Sequence, residues 1–159
     1  MAHSSISDEI KQTRPFRSRS QEAIIAVLRT AHLVRRQVDA VVEREGLSSQ
    51  QYNVLRILRG ARAPLPTMEI SQRMIETACG ITRLIAALEG KGLIRREQWP
   101  GDRRHFLCQI TPAGTRVLER LEDAMNELDD SLGETMTEKQ LDGLIDGLSM
   151  IRHHVTPPD

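Results

Sequence analysis

Two short stretches of this 159-residue chain hold the side chains best suited to chemistry. The first runs from Thr77 to Ala86. As a helix with Ile81, Leu84, Ile85 and Leu88 inward, it turns Thr77, Ala78, Cys79, Thr82, Arg83 and Ala86 outward. Arg83 can pair bidentately with guanine O6 and N7, Thr82 offers a hydroxyl, and Ala78 suits a thymine methyl. The alternative for Arg83 is a surface ion pair with Glu76 or Glu89. The second stretch is Asp102-Arg103-Arg104, just after Pro100-Gly101. A cation on a thin hairpin can enter a narrow A·T minor groove, where the potential is most negative. Arg103, and Arg95 and Arg96 at the hairpin base, can meet phosphates; the last two read equally well as solvated strand residues. Cys79, near a helix start and close to arginines, has the setting of a reactive thiol, but its plainer reading is a small residue tolerated beside DNA.

Other chemistries find little support. The chain has no glycine-rich phosphate loop, no HExxH and no GxSxG, so no enzyme activity is expected. The carboxylates between 119 and 146 fall at helix-surface spacing. His153 and His154 are adjacent and point apart on a helix, while His3 and His32 stand alone, so neither a metal nor a cofactor is expected. Cys79 and Cys108 make neither a disulfide framework nor a four-ligand zinc set. No apolar run approaches the roughly 20 residues that cross a bilayer, and residues 1–11 lack the pattern of a signal peptide. The expected setting is the cytoplasm, with no membrane partner.

The elements that must position these stretches are mostly helices. Ile24, Val27, Ala31, Val34, Val38 and Val41 recur in a heptad seam along a helix from 20 to about 45, stopped by Gly46. Ser48 and Gln51 form a capping box, stapled by Leu47 and Tyr52, for a helix running to about Arg59. Thr67 is placed to cap a short helix over 68–74, and the helix over 77–89 completes a helix-turn-helix. Segments 93–99 and 103–111 read as two strands, with Phe106, Cys108 and Ile110 on one face. Thr111-Pro112 opens a further helix with Leu118, Leu121, Met125, Leu128 and Leu132 as its seam. A second capping box, Thr137 with Gln140, opens a last helix along Leu141, Leu144, Leu148, Ile151 and Val155.

Charge divides the chain although it sums to zero. Residues 49–112 carry ten basic and five acidic side chains, whereas residues 113–159 carry four and eleven. A basic centre joined to an acidic end suits a centre that meets a polyanion. Aromatics are 3% of residues, so the core must be aliphatic.

This order of elements, with LSSQQYNVLRIL (47–58), GITRLIAALEGKGLIRR (80–96) and DRRHFLCQITPAG (102–114), resembles the MarR family of winged-helix transcriptional regulators. The resemblance implies a mainly α fold with a small β-hairpin wing. It divides the chain into an arm (1–19), a dimerisation helix (20–46), a winged helix-turn-helix unit (47–112) and C-terminal dimerisation helices (113–155). It further implies a homodimer on a pseudo-palindromic double-stranded DNA operator, a repressor released by a small aromatic ligand or an oxidant. Arg104 matches the family's wing arginine, with Asp102 orienting it. By the same resemblance a ligand lodges where the dimerisation helices meet the winged unit, with His32, Arg36, Tyr52 and Arg56 as its polar groups. One stretch departs from the family pattern. Ile75-Glu76-Thr77-Ala78-Cys79-Gly80 sets a carboxylate where phosphates approach, and a glycine that weakens a helix by about 1 kcal/mol relative to alanine. A winged-helix protein–protein adaptor is the alternative reading, but it would not need the basic centre.

Overall fold

The computed structural model describes residues 4–76, 80–99 and 106–156, the side chain of Leu132 excepted. Within the expected arm, Ser5 and Asp8 cap one another: each backbone N–H donates to the other's side-chain oxygen at 3.3 Å. This makes one helical turn, α1 (Ile6–Glu9), set against the next helix with Glu9 3.9 Å from Arg29. That helix, α2 (Arg19–Val42), starts at Ser18, whose hydroxyl accepts from the Gln21 N–H at 3.1 Å. A 3-10 turn over Glu43–Glu45 ends it at Gly46. The capping box at Ser48 and Gln51 closes with both bonds at 3.2 Å and opens α3 (Ser49–Gly60).

Two local expectations need correcting. Leu65–Pro66, where the sequence signals no element, is a two-residue strand, β1, that pairs antiparallel with a later strand through Leu65 and Cys108. Two residues are too few for alternation to be legible. The following helix, α4 (Thr67–Arg73), has Pro66 rather than Thr67 at its N-cap. Thr67 lies inside the first turn, where its hydroxyl stands 3.9 Å from Cys108 Sγ.

The second helix of the pair, α5, spans Ile81–Gly90 and so begins four residues after the expected Thr77. Gly80 is the reason. Its φ of 95° is left-handed, a conformation glycine adopts without a Cβ penalty, and its carbonyl accepts from the Arg83 and Leu84 N–H groups. Strands β2 (Ile94–Gln98) and β3 (Phe106–Ile110) pair antiparallel from Ile94↔Ile110 to Gln98↔Phe106, giving sheet order β1-β3-β2. Helix α6 (Pro112–Gly133) packs back on α2 and α3, and α7 (Glu138–Val155) follows, with Gln140 Oε1 accepting from the Thr137 N–H at 2.9 Å.

The core is aliphatic, as the composition requires. Val42, Val54, Leu55, Ile70, Ile85, Leu88, Leu118 and Leu121 are all 2% exposed or less, joined by Cys108 from the sheet. Each such side chain contributes on the order of 1.5–3 kcal/mol by leaving water. The seams fare differently. Leu118, Leu121 and Met125 of α6 are buried within the chain, and so is Val41 at the end of α2. Ile24 and Leu28 of α2, and Leu144, Ile145, Met150, Ile151 and Val155 of α7, remain exposed. The Leu118–Met125 stretch of the α6 seam therefore belongs to this chain's own core. No helix among the described residues is long and apolar enough to cross a membrane.

Candidate nucleic-acid interface

The surface over the helix-turn-helix is built by what α5 buries. Ile85 and Leu88 lock it against α3 and the sheet, leaving Thr82, Arg83 and Ala86 exposed, Thr82 and Arg83 within its first turn. The carboxylates that could have neutralised Arg83 are engaged elsewhere: Glu76 pairs with Arg35 and Glu89 with Arg96. Among the described residues none forms an ion pair with Arg83. Arg83 belongs to the first turn of α5, the end of a helix that carries partial positive charge. Thr77, Ala78 and Cys79 lie outside the described residues.

The two arginines at the wing base alternate across the strand and differ in consequence. Arg95 is exposed; it donates to Gln109 Oε1 at 2.7 and 3.3 Å and lies 3.2 Å from Glu97. Arg96 turns toward the body. Its Nε donates to Glu89 Oε2 at 2.6 Å, and its guanidinium lies 5.4 Å from the centre of the Phe106 ring. The hydrogen bond from Arg96 holds the Glu89 carboxyl below its ordinary value. Arg96 thus ties β2 to α5. Asp102, Arg103 and Arg104 lie outside the described residues. Cys108 is fully buried, and burial pushes its thiol up, so it is an inert core group.

The Thr-Pro-x-Gly motif at the wing's exit has a mechanical basis. The Thr111 hydroxyl donates to the Gly92 carbonyl at 2.7 Å and accepts from the Gly114 N–H at 3.1 Å. It therefore caps α6 and anchors the turn after α5 together. At Gly114 a Cβ would lie 2.2 Å from the Leu93 carbonyl oxygen and 2.8 Å from Ile110 Cγ1, so only glycine lets the helix approach the sheet this closely.

A cleft of about 390 Å³ opens between α2, α3, α6 and the segment after α4. Tyr52 and Arg56 line it, with the Arg56 guanidinium 5.9 Å from the ring centre of Tyr52. His32 and Arg36 do not; both are exposed on α2. The helical phase explains this correction, because Ala31, Val34 and Val38 face the cleft and Arg35 shares their side. Arg35, Asn53 and Glu76 are among the lining residues that the sequence did not single out. The spacing of Arg35 from Ala31 and Val38 could have identified the first. Asn53 and Glu76 meet only through the fold.

Comparison with known proteins agrees with this geometry. The family profile described as MarR family matches residues 47–106. The HTH-type transcriptional regulator PecS of Dickeya dadantii is 30% identical over 133 residues, covering 78% of this chain and 80% of that protein. A MarR transcription factor from Planctomyces limnophilus is 31% identical, with a TM-score of 0.66 over 86% of this chain and 99% of that one. A MarR family regulator from Streptomyces coelicolor, solved in complex with DNA, shares the fold at a TM-score of 0.77 and 21% identity, over 89% and 95% of the two chains. The helix pair, the three-stranded sheet and this similarity along most of the sequence place the chain in the MarR family of winged-helix transcriptional regulators.

Proposed function

We propose that this protein is a dimeric, sequence-specific DNA-binding repressor, released from its operator by a small aromatic acid. The observation that carries the reading is the first turn of α5, where Arg83 is exposed and no described carboxylate pairs with it. In this reading α5 lies in the major groove, with Arg83 and Thr82 at base edges and Thr77, Ala78 and Cys79 beside them. The wing carries Arg104 into the adjacent minor groove with Asp102 orienting it, while Arg103 and Arg95 meet phosphates. Arg96 serves as a strut that holds the wing to α5.

Residues 47–112 form the reading unit, and the terminal helices form the dimer. The uncovered apolar residues of α7 and the first half of α2 support that division. Two copies then read half-sites roughly 10 base pairs apart, one turn of the duplex. The cleft at the junction is the effector site, with Tyr52, Arg56 and Arg35 as its polar groups. A ligand preferring a spacing of the two α5 helices that misfits the operator lowers DNA affinity by the factor that DNA lowers its own. The setting is the cytoplasm.

Footprinting on the DNA flanking this protein's own gene tests the reading, repeated with salicylate and with peroxide on wild type and Cys79→Ser. The expected result is a protected palindrome that salicylate releases in both proteins. Release by peroxide alone, and only in wild type, would transfer control to the Cys79 thiol. Absence of any protected site would overturn the DNA-binding reading.

A further inference from the structure

Among the described residues between α4 and α5, Ile75 and Glu76 are each tied to another helix, and both ties end in the cleft. The Ile75 N–H donates to Asn53 Oδ1 of α3 at 3.0 Å. The Glu76 carboxylate pairs with Arg35 of α2. The first tether is neutral and lies within the winged unit. The second is ionic and joins that unit to the long helix assigned to the dimer. We propose that the Arg35–Glu76 pair is a latch between α2 and the lead into the reading helix, and that a carboxylate ligand acts by drawing Arg35 away from Glu76. The inference rests on the DNA-binding, ligand-gated reading of the same cleft and adds the group through which the ligand works.

Charge in the cleft selects the ligand class. Arg35, Arg56, Glu76 and Asp129 sum to zero, so the empty cleft is balanced. Arg56 rests against Tyr52 with no carboxylate paired to it among the described residues, and it offers a carboxylate its first contact. A planar ring fits the remaining wall of Ala31, Val34, Val38, Met74 and Met125, in a volume suited to one small molecule. Once inside, the ligand's negative charge lies close to Glu76, and the two compete for one guanidinium. The latch can lose that competition because its side chains are 47% and 35% exposed, and pairs this open to water are weakly held. Freed from α2, the segment keeps the Asn53 bond and the packing of Met74 on the core, both within the winged unit, and α5 is no longer held in register with the dimer helices.

The test uses the full-length protein and three variants, Glu76→Gln, Asn53→Ala and the reversed pair Arg35→Glu/Glu76→Arg. Hydrogen exchange at the Ile75 amide reports the segment directly, and operator titration reports the consequence. Glu76→Gln should speed Ile75 exchange and weaken operator binding about threefold to tenfold, since each dimer loses two such pairs. The reversed pair should restore both. Salicylate should speed Ile75 exchange in wild type and add nothing in Glu76→Gln, while Asn53→Ala should remain sensitive to it. If Glu76→Gln leaves Ile75 exchange and operator affinity at wild-type values, or if salicylate acts equally on both proteins, the latch is overturned. Salicylate-dependent exchange that requires Glu76, in a protein that protects no DNA, would support the latch and overturn the DNA-binding reading instead.

Discussion

Arg83 and Arg96 carry the same charge to opposite ends. Arg83 is left open by the assignment of Glu76 and Glu89 to other arginines, whereas Arg96 is held by Glu89 and covers Phe106. Arg83→Ala should therefore cost about 1–3 kcal/mol per half-site and flatten base preference at one position, read by competition titration with point-mutant operators. An equal loss on every sequence would mark it as a phosphate contact. Glu89→Gln should act on stability instead. Because the folded-state Glu89 is held below its ordinary value of 4.5, its pairing stabilises the fold fully above that value. The stabilisation disappears as pH falls through the lowered folded-state value. The Tm gap between wild type and Glu89→Gln should thus be present at neutral pH and close on acidification below pH 4.5. A gap independent of pH would show that packing, rather than the ion pair, is what the substitution disturbs.

At the scale of elements, junctions matter more than interiors. The capping box at Ser48, the Thr111 cap and the aliphatic spacing of α6 are local signals, and each is legible without any tertiary contact. The start of α5 was not, because a glycine can sit inside a helix, at some cost, or end one; the left-handed backbone at Gly80 decides for the latter. β1 escaped for a different reason: its pairing with β3 is its only signature. The junction at Gly114 gives a sharp expectation. Gly114→Ala must drive a methyl into the Leu93 carbonyl, which is backbone and cannot rotate away. It should destabilise the fold by about 1–3 kcal/mol, checked by chemical denaturation, although alanine is the better helix former. Equal or greater stability in the variant would mean that α6 does not approach the sheet this closely.

At the scale of the whole molecule, the proposed division between the terminal helices and the basic centre makes two predictions. α7 buries none of its own residues within the chain, so its apolar side gains most from a second copy. Ile151→Glu should shift the protein from dimer to monomer at micromolar concentration in sedimentation analysis, with operator affinity falling in step. A variant that stays dimeric would place the interface elsewhere, with Ile24 and Leu28 of α2 as the next surface to change. Binding should also weaken steeply with salt, because the central segment holds the excess of arginines and would release counterions from the duplex.

Sequence alone determined whatever depends on neighbours along the chain. Helix periodicity, caps, the turn-prone Pro100-Gly101 and the Thr-Pro-x-Gly signature are local, so their physics is already written in adjacent residues. The fold class, the separation of a basic centre from an acidic C-terminal end and the outward place of Arg83 followed from them. Tertiary structure alone decided which charges remain available and which line the cleft. Arg35 meets Glu76, Arg96 meets Glu89 and Arg120 meets Glu45 across separate elements. Ion pairing depends on distances in space, and a chain with equal numbers of acidic and basic groups permits many alternative pairings. The same holds for the cleft, where a rotation of one residue along α2 exchanges His32 and Arg36 for Arg35, because only packing against α3 and α6 sets which side of that helix faces inward.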